Sequence, residues 1–149
     1  IDTDTQIDSI GIANYSYVAK KTYSIGLHPE LGGYVFKISI DGKHGLVAAL
    51  QNQTQATRWY EIDDYINNPS CHSFEGQNFS DWRIPTKYEL NEMYIYRNSI
   101  GGNFVFNYWS STEYDFGKAW AQIFGINSSG VQFLQSKNNT NCIRAIRSF

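Results

Sequence analysis

The chain is short of charge. Asp, Glu, Lys and Arg together make up 17% of its 149 residues, and the formal net charge is −2. Without an excess of Lys or Arg there is no electrostatic footprint for nucleic acid. No apolar run approaches the roughly 20 residues that a membrane-spanning helix needs, so membrane insertion is not expected. Only two cysteines occur, Cys71 and Cys142, and neither has a Cys or His neighbour at metal-ligand spacing, which argues against zinc. A single bridge between the two halves of the chain and two buried free thiols both stay open. No signal peptide opens the chain, yet Ile1 in place of Met suggests a processed or trimmed product, so localisation is not read from that feature.

Signatures of catalysis are equally sparse. His28, His44 and His72 are scattered, with no i, i+4 pair and no glycine-rich phosphate loop nearby. Ser110-Ser111 beside Glu113 lacks the glycine flanks of a nucleophile elbow. Asp63-Asp64 reads as a solvated helix end, and Glu89 with Glu92 as a cap and an outer face. The expectation is a protein that is not an enzyme and needs no cofactor and no metal. Five Asn-x-Ser/Thr acceptor patterns (at Asn14, Asn52, Asn78, Asn127 and Asn138) follow from the abundance of Asn and Ser and carry little weight.

What the chain has instead is aromatic side chains: 11 Tyr, 9 Phe and 4 Trp, or 16% of residues. That composition favours strands and loops over long solvated helices. Residues 1–22 read as a lead-in or the end of a stalk, and residues 23–149 as one domain, with a strand expected within Tyr15–Ile25. Val35, Phe36, Ile38 and Ile40 form a strand entered by Gly32-Gly33 and left through Asp41-Gly42, with residues 44–49 returning as its hairpin partner. Trp59–Ile66 predicts a short helix, and Asn68-Pro69 opens a further turn carrying Cys71. Thr86 followed by Glu89 is a capping box for a helix over 87–97 that Gly101-Gly102 ends. Beyond Tyr108 the helical period vanishes. The runs 119–124, 130–134 and 142–146, with an Asn-rich turn at 138–141, predict a meander. The fold class is α+β, mostly antiparallel strands with one or two helices.

In the C-terminal third, Trp109 and Trp120 read as core. The residues around them, Tyr114 to Lys118 and Phe133 to Ser136, mix rings with short polar groups in the manner of a recognition surface. Several separate motifs occur in a fixed order. They are Gly32-Gly33-Tyr-Val-Phe, His44-Gly45-Leu-Val-Ala-Ala, Asp81-Trp82-Arg-Ile-Pro-Thr, Tyr108-Trp109-Ser-Ser-Thr-Glu-Tyr, Ala119-Trp120 and Ile143-Arg144-Ala-Ile-Arg147. Together they resemble the bacterial domain at the C-terminus of the Legionella collagen-like adhesin, and they are similar to the variable proteins of diversity-generating retroelements. The resemblance implies a C-type lectin-like fold of the formylglycine-generating-enzyme-like branch. It further implies a ligand-binding, adhesin-like module on a bacterial cell surface, pilus or phage (virion) tail, extracellular and non-catalytic.

By the same resemblance Trp109, Ser110, Ser111, Thr112, Glu113, Ala119, Trp120, Arg144 and Arg147 fall on scaffold positions. Asp115, Phe116, Gly117, Lys118, Ala121 and Ile123 fall on diversified ones. So do Val131, Phe133, Leu134, Gln135, Ser136, Asn138, Asn139 and Asn141, with Tyr114 opening the ligand-binding segment. Phe116 and Phe133 are expected to carry binding. Cys142 stands where an aromatic is common in such proteins, which leaves room for a Cys71–Cys142 disulfide. Clustered Lys or Arg is absent from this third, so a neutral glycan or a protein receptor is expected rather than a sulfated polysaccharide. A thiol-dependent enzyme on the same fold, and a homotrimerising structural tip with residues 1–12 starting its stalk, are the alternatives.

Overall fold

The computed structural model describes residues 20–149 in full and the backbone of residues 3–7 and 13–18. Those two backbone segments are strands, β1 (Thr3–Ile7) and β2 (Ala13–Val18), paired antiparallel as a two-stranded ribbon. The stalk expectation for residues 1–12 otherwise lies outside the described residues. The strand expected within Tyr15–Ile25 ends at Val18.

The rest is α+β, built on two sheets. One has the order β11-β5-β4-β3, using β3 (Gly26–His28), β4 (Gly33–Ile38), β5 (Gly45–Ala48) and β11 (Ile146–Ser148), and is antiparallel throughout. The β4–β5 hairpin expected from the Gly-Gly entry and the Asp-Gly turn is present. The second sheet has the order β6-β10-β7-β8-β9, from β6 (Thr54–Thr57), β7 (Asn107–Glu113), β8 (Lys118–Ile123), β9 (Gln132–Ser136) and β10 (Asn141–Ile143).

The meander predicted beyond Tyr108 therefore holds only for β7, β8 and β9. Instead of extending it, the chain turns back at 137–140 and inserts β10 between β6 and β7, parallel to β7. The run 142–146 is not a single strand either. It divides at Arg144-Ala145 between β10 in one sheet and β11 in the other.

Among the described residues three α-helices accompany the sheets: α1 (Ile62–Ile66), α2 (Lys87–Ile95) and α3 (Arg97–Ile100). A 3₁₀ turn over Trp59–Glu61 leads into α1, and another over Pro69–Cys71 is capped by the Asn68 side chain. Thr86 and Glu89 form the reciprocal capping box of α2. Arg83 reinforces it with two hydrogen bonds to the Glu89 carboxylate, at 2.7 and 2.8 Å. This fork, with the Thr86 amide, holds the Glu89 carboxyl down at about 2, against an ordinary value near 4.5. Leu90 and Met93 face the core, and Gly101 ends α3.

The core gathers the apolar faces of both sheets. Val35, Val47, Trp82, Trp109, Ala121 and Ile143 pack in one cluster, and Phe36, Leu90, Met93, Tyr108, Phe124 and Ile146 in a second. Several buried polar groups are paired across it. The Trp109 indole donates to the Thr57 carbonyl at 2.8 Å and the Trp82 indole to Gly76 at 2.9 Å. His72, stacked on Trp82, hydrogen-bonds the Ile66 carbonyl at 2.8 Å, the environment of a satisfied core histidine.

Arg144, wholly buried, donates to Asn52 Oδ1 and to the carbonyls of Ala49, Gly101 and Gly102, and lies 4.0 Å from the Phe104 ring centre. Burial pushes its pKa down to about 10, which leaves it charged at neutral pH. Gly102 is required beneath it, because its φ is +75° and a Cβ would run into the Leu50 carbonyl and the guanidinium. Arg147 forks onto Asp81 and donates to Leu31. Both arginines are structural.

The two cysteines are free thiols, so no Cys71–Cys142 disulfide forms. Cys142 sits inside β10 with its Sγ directed at the Gln55 carbonyl, 3.2 Å away, and burial raises its pKa to about 11. Cys71 is half-buried on its 3₁₀ turn.

Candidate ligand-binding face

The sequence Ser110-Ser111-Thr112 owes its hydroxyls to a bulge. Between the pairs Trp109↔Ala121 and Glu113↔Ala119 strand β7 carries three residues where β8 carries one. The displaced backbone groups need partners within the chain. Ser110 Oγ donates to the Trp120 carbonyl at 2.7 Å and accepts from the Thr112 amide at 3.2 Å. The Ser111 amide reaches the Pro85 carbonyl at 2.8 Å, and Thr112 Oγ1 accepts from the Lys87 amide at 2.9 Å, one of the orphan donors in the first turn of α2. This stretch is framework, as expected, although burial stops at Ser110: Ser111 and Glu113 are exposed.

Glu113 leads into the β7–β8 turn, which is tightly fixed. Asp115 Oδ1 accepts from the amides of Gly117 and Lys118, both at 2.8 Å, and the Tyr114 amide donates to the Lys118 carbonyl at 2.9 Å. Beneath the turn lies Lys137. Its side chain is 2% exposed, its ammonium donates to Glu113 Oε2 at 2.7 Å, and it stands 4.3 and 5.3 Å from the ring centres of Trp59 and Tyr60. Its amide donates to Gly117 and its carbonyl accepts from Trp59, while the Tyr60 hydroxyl donates to the Phe116 carbonyl. One buried lysine thus ties together the β7–β8 turn, the β9–β10 turn and the Trp59–Tyr60 segment.

Above this anchor three rings stand in solvent: Tyr60 at 63% exposure, Tyr114 at 62% and Phe116 at 89%. Asp115, Lys118, Asn138 and Asn139 are exposed beside them on the two adjoining turns, with Ser136 half-buried.

The remaining residues assigned to binding are not brought together there. Ala121 and Asn141 are buried, at 1% and 5% exposure, and out of reach of any ligand. Phe133, expected to carry binding, lies opposite Ala121, half-buried with its ring packed against the core. Leu134 faces the other way, opposite Trp120, whose ring is capped by Lys87 at 3.5 Å. Ile123 and Val131 lie at the far end of the β8–β9 pair, about 17 Å from Lys118 at the usual strand rise. Gln135, opposite Ala119, is half-buried.

Sequence reasoning missed Tyr60, Trp59 and the interior position of Lys137. The adjacent rings at 59–60 were a visible signal, but their place beside the turn depends on β6 pairing with β10, more than 80 residues along the chain.

No curated protein matches this chain. The family model described as the Lcl C-terminal domain matches residues 37–147, from β4 to β11, and the chain belongs to that family.

Proposed function

We propose that this domain is a non-catalytic recognition module, adhesin-like and displayed on a bacterial surface, pilus or phage tail, with the C-type lectin-like fold. It engages a receptor through the face made by the β7–β8 turn, the β9–β10 turn and Tyr60. The observation that carries this reading is the trio of exposed rings Tyr60, Tyr114 and Phe116 over a turn immobilised by Lys137 and Asp115. Exposed rings carried on a fixed backbone add nothing to the core, yet they offer contact area with little main-chain entropy left to lose on binding. Of the turn positions between the framework residues Glu113 and Ala119, Tyr114, Phe116 and Lys118 turn their side chains to solvent and are open to sequence change, which suits diversification by a retroelement.

With Lys137, Arg144 and Arg147 turned inward and Arg58 paired with Glu61, Lys118 is the cation left on this face among the described residues, which speaks against a sulfated polysaccharide. The thiol-enzyme alternative is weakened by the burial of Cys142 and its raised pKa, since the thiolate is the nucleophile. The test is adhesion of the purified domain to candidate host or bacterial cells, measured for the wild type and for the Tyr114→Ala/Phe116→Ala pair. Binding should fall by about 100-fold while circular dichroism is unchanged, by analogy with central aromatic anchors of interfaces. Full binding by the double variant would place the ligand elsewhere.

A further inference from the structure

Next to the three exposed rings the molecule has a cavity of about 310 Å³ lined by Trp59, Tyr60, Ile62, Asp63, Ile84 and Ser111. We propose that this cavity receives a basic side chain, a lysine or arginine presented by a partner protein, and that Asp63 is its counter-charge. The inference rests on the recognition face proposed above and names the chemistry of its anchor.

Size is the first consideration. The volume lies at the lower end of ligand cavities, which run from about 300 to 1,000 Å³, and suits a single side chain better than a run of sugar rings. The second is the lining. The buried residues Ile62 and Ile84 supply an apolar base for a methylene stem, and Trp59 and Tyr60 bring π systems beside it. Rings of this kind attract ammonium and guanidinium groups.

The third consideration is charge. No cation lines the cavity, and no ion pair among the described residues engages Asp63, whose side chain is exposed. Its neighbour Glu61 is taken by Arg58 at 2.6 Å. Lys137 touches the same two rings, but Glu113 neutralises it at 2.7 Å. A cation entering the cavity thus meets a free carboxylate, two rings and no net opposing charge. An anionic ligand would meet Asp63 unscreened.

The probes are Nα-acetyl-lysine methylamide and Nα-acetyl-arginine methylamide, with the norleucine analogue as the uncharged isostere and methyl α-glucoside as a sugar. Binding is read from the Trp59 indole N–H resonance, whose donor bonds the Ser110 carbonyl at 3.0 Å, next to Ser111 in the lining. Both basic probes should shift that resonance saturably at millimolar concentrations, at least about tenfold more tightly than norleucine. Asp63→Asn should remove most of that preference without changing the rest of the spectrum. Equal binding of norleucine, a stronger response to the glucoside, or no saturable shift by either cation would overturn the proposal.

Cell adhesion separates this proposal from the reading beneath it. If Tyr114→Ala/Phe116→Ala abolishes adhesion while Asp63→Asn leaves it intact, the face stands and the basic anchor falls. If Asp63→Asn weakens adhesion at least about tenfold while the aromatic pair is dispensable, the anchor stands without the face.

Discussion

The Lys137–Glu113 pair should respond very unequally to the loss of its two members. Lys137 is 2% exposed and Glu113 is 56% exposed. Removing the carboxylate with Glu113→Ala leaves an ammonium in the interior with two ring faces as its remaining partners. Stranding one member of a buried pair costs about 3–5 kcal/mol. The ring contacts and partial access of water through the exposed end return part of that, so the expected loss is about 2–3 kcal/mol.

Lys137→Met instead removes the buried charge and leaves Glu113 in water. It gives up the ring contacts of the ammonium, about 0.5–2 kcal/mol, and regains sulfur–aromatic contacts of comparable size. The expected change is within about 1 kcal/mol of zero, since apolar replacement of buried charge is often neutral or stabilising. Urea denaturation followed by tryptophan fluorescence resolves this difference. With an m-value of about 2 kcal/mol/M, the midpoints of the two variants should differ by about 1 M, Glu113→Ala being the lower. A Lys137→Met variant that unfolds at the same urea concentration as Glu113→Ala, or lower, would refute the reasoning.

Phe133→Ala should lower stability by about 1–3 kcal/mol, because the ring packs on Ala121 and the Trp109 cluster, whereas Phe116→Ala should stay within about 0.5 kcal/mol by the same denaturation assay. Iodoacetamide applied to the native protein at neutral pH should label Cys71 and spare Cys142, whose thiol titrates near 11, with both thiols labelled after unfolding and without reductant; mass spectrometry counts the additions. Glu89 has a native pKa of about 2, below its ordinary 4.5, so in that interval the unfolded chain binds more protons and stability falls as pH drops. The contribution is fully present above about pH 5 and lost towards pH 2, on the order of 2 kcal/mol after allowing for the half-exposed Arg83. Glu89→Gln should flatten the thermal melting temperature over that range.

How far the sequence could be read depended on whether a feature was set locally. The capping box at Thr86–Glu89 and the β4–β5 hairpin are written in residues three to fourteen apart, where side chain and backbone choose each other directly. The insertion of β10 beside β7 is written nowhere locally. It follows from burying Cys142 and Ile143 between two strands, and a period-2 run looks the same whether it extends a meander or jumps a strand. The binding segment shows the same division. Tyr114–Lys118 was legible as a loop rich in rings and polar groups. Which residues of β8 and β9 point outward depends on register, and that placed Ala121 and Phe133 inward. The burial of Lys137 is not legible in the sequence for a related reason: a lysine in a polar run reads as surface unless its carboxylate and rings, contributed by β7 and by residues 59–60, are already in view.

The placement of the last strands also bears on how the protein is made. β10 completes one sheet and β11 the other, with Phe149 and Gly45 exchanging backbone hydrogen bonds at 3.1 and 3.2 Å. During synthesis both sheets stay open at an edge until residues 141–148 leave the ribosome exit tunnel. Until then β7 and β5 each present an unpaired run of backbone. Closure of both sheets is thus deferred until residues 141–148 are available, although β5 ends at Ala48 and β7 at Glu113.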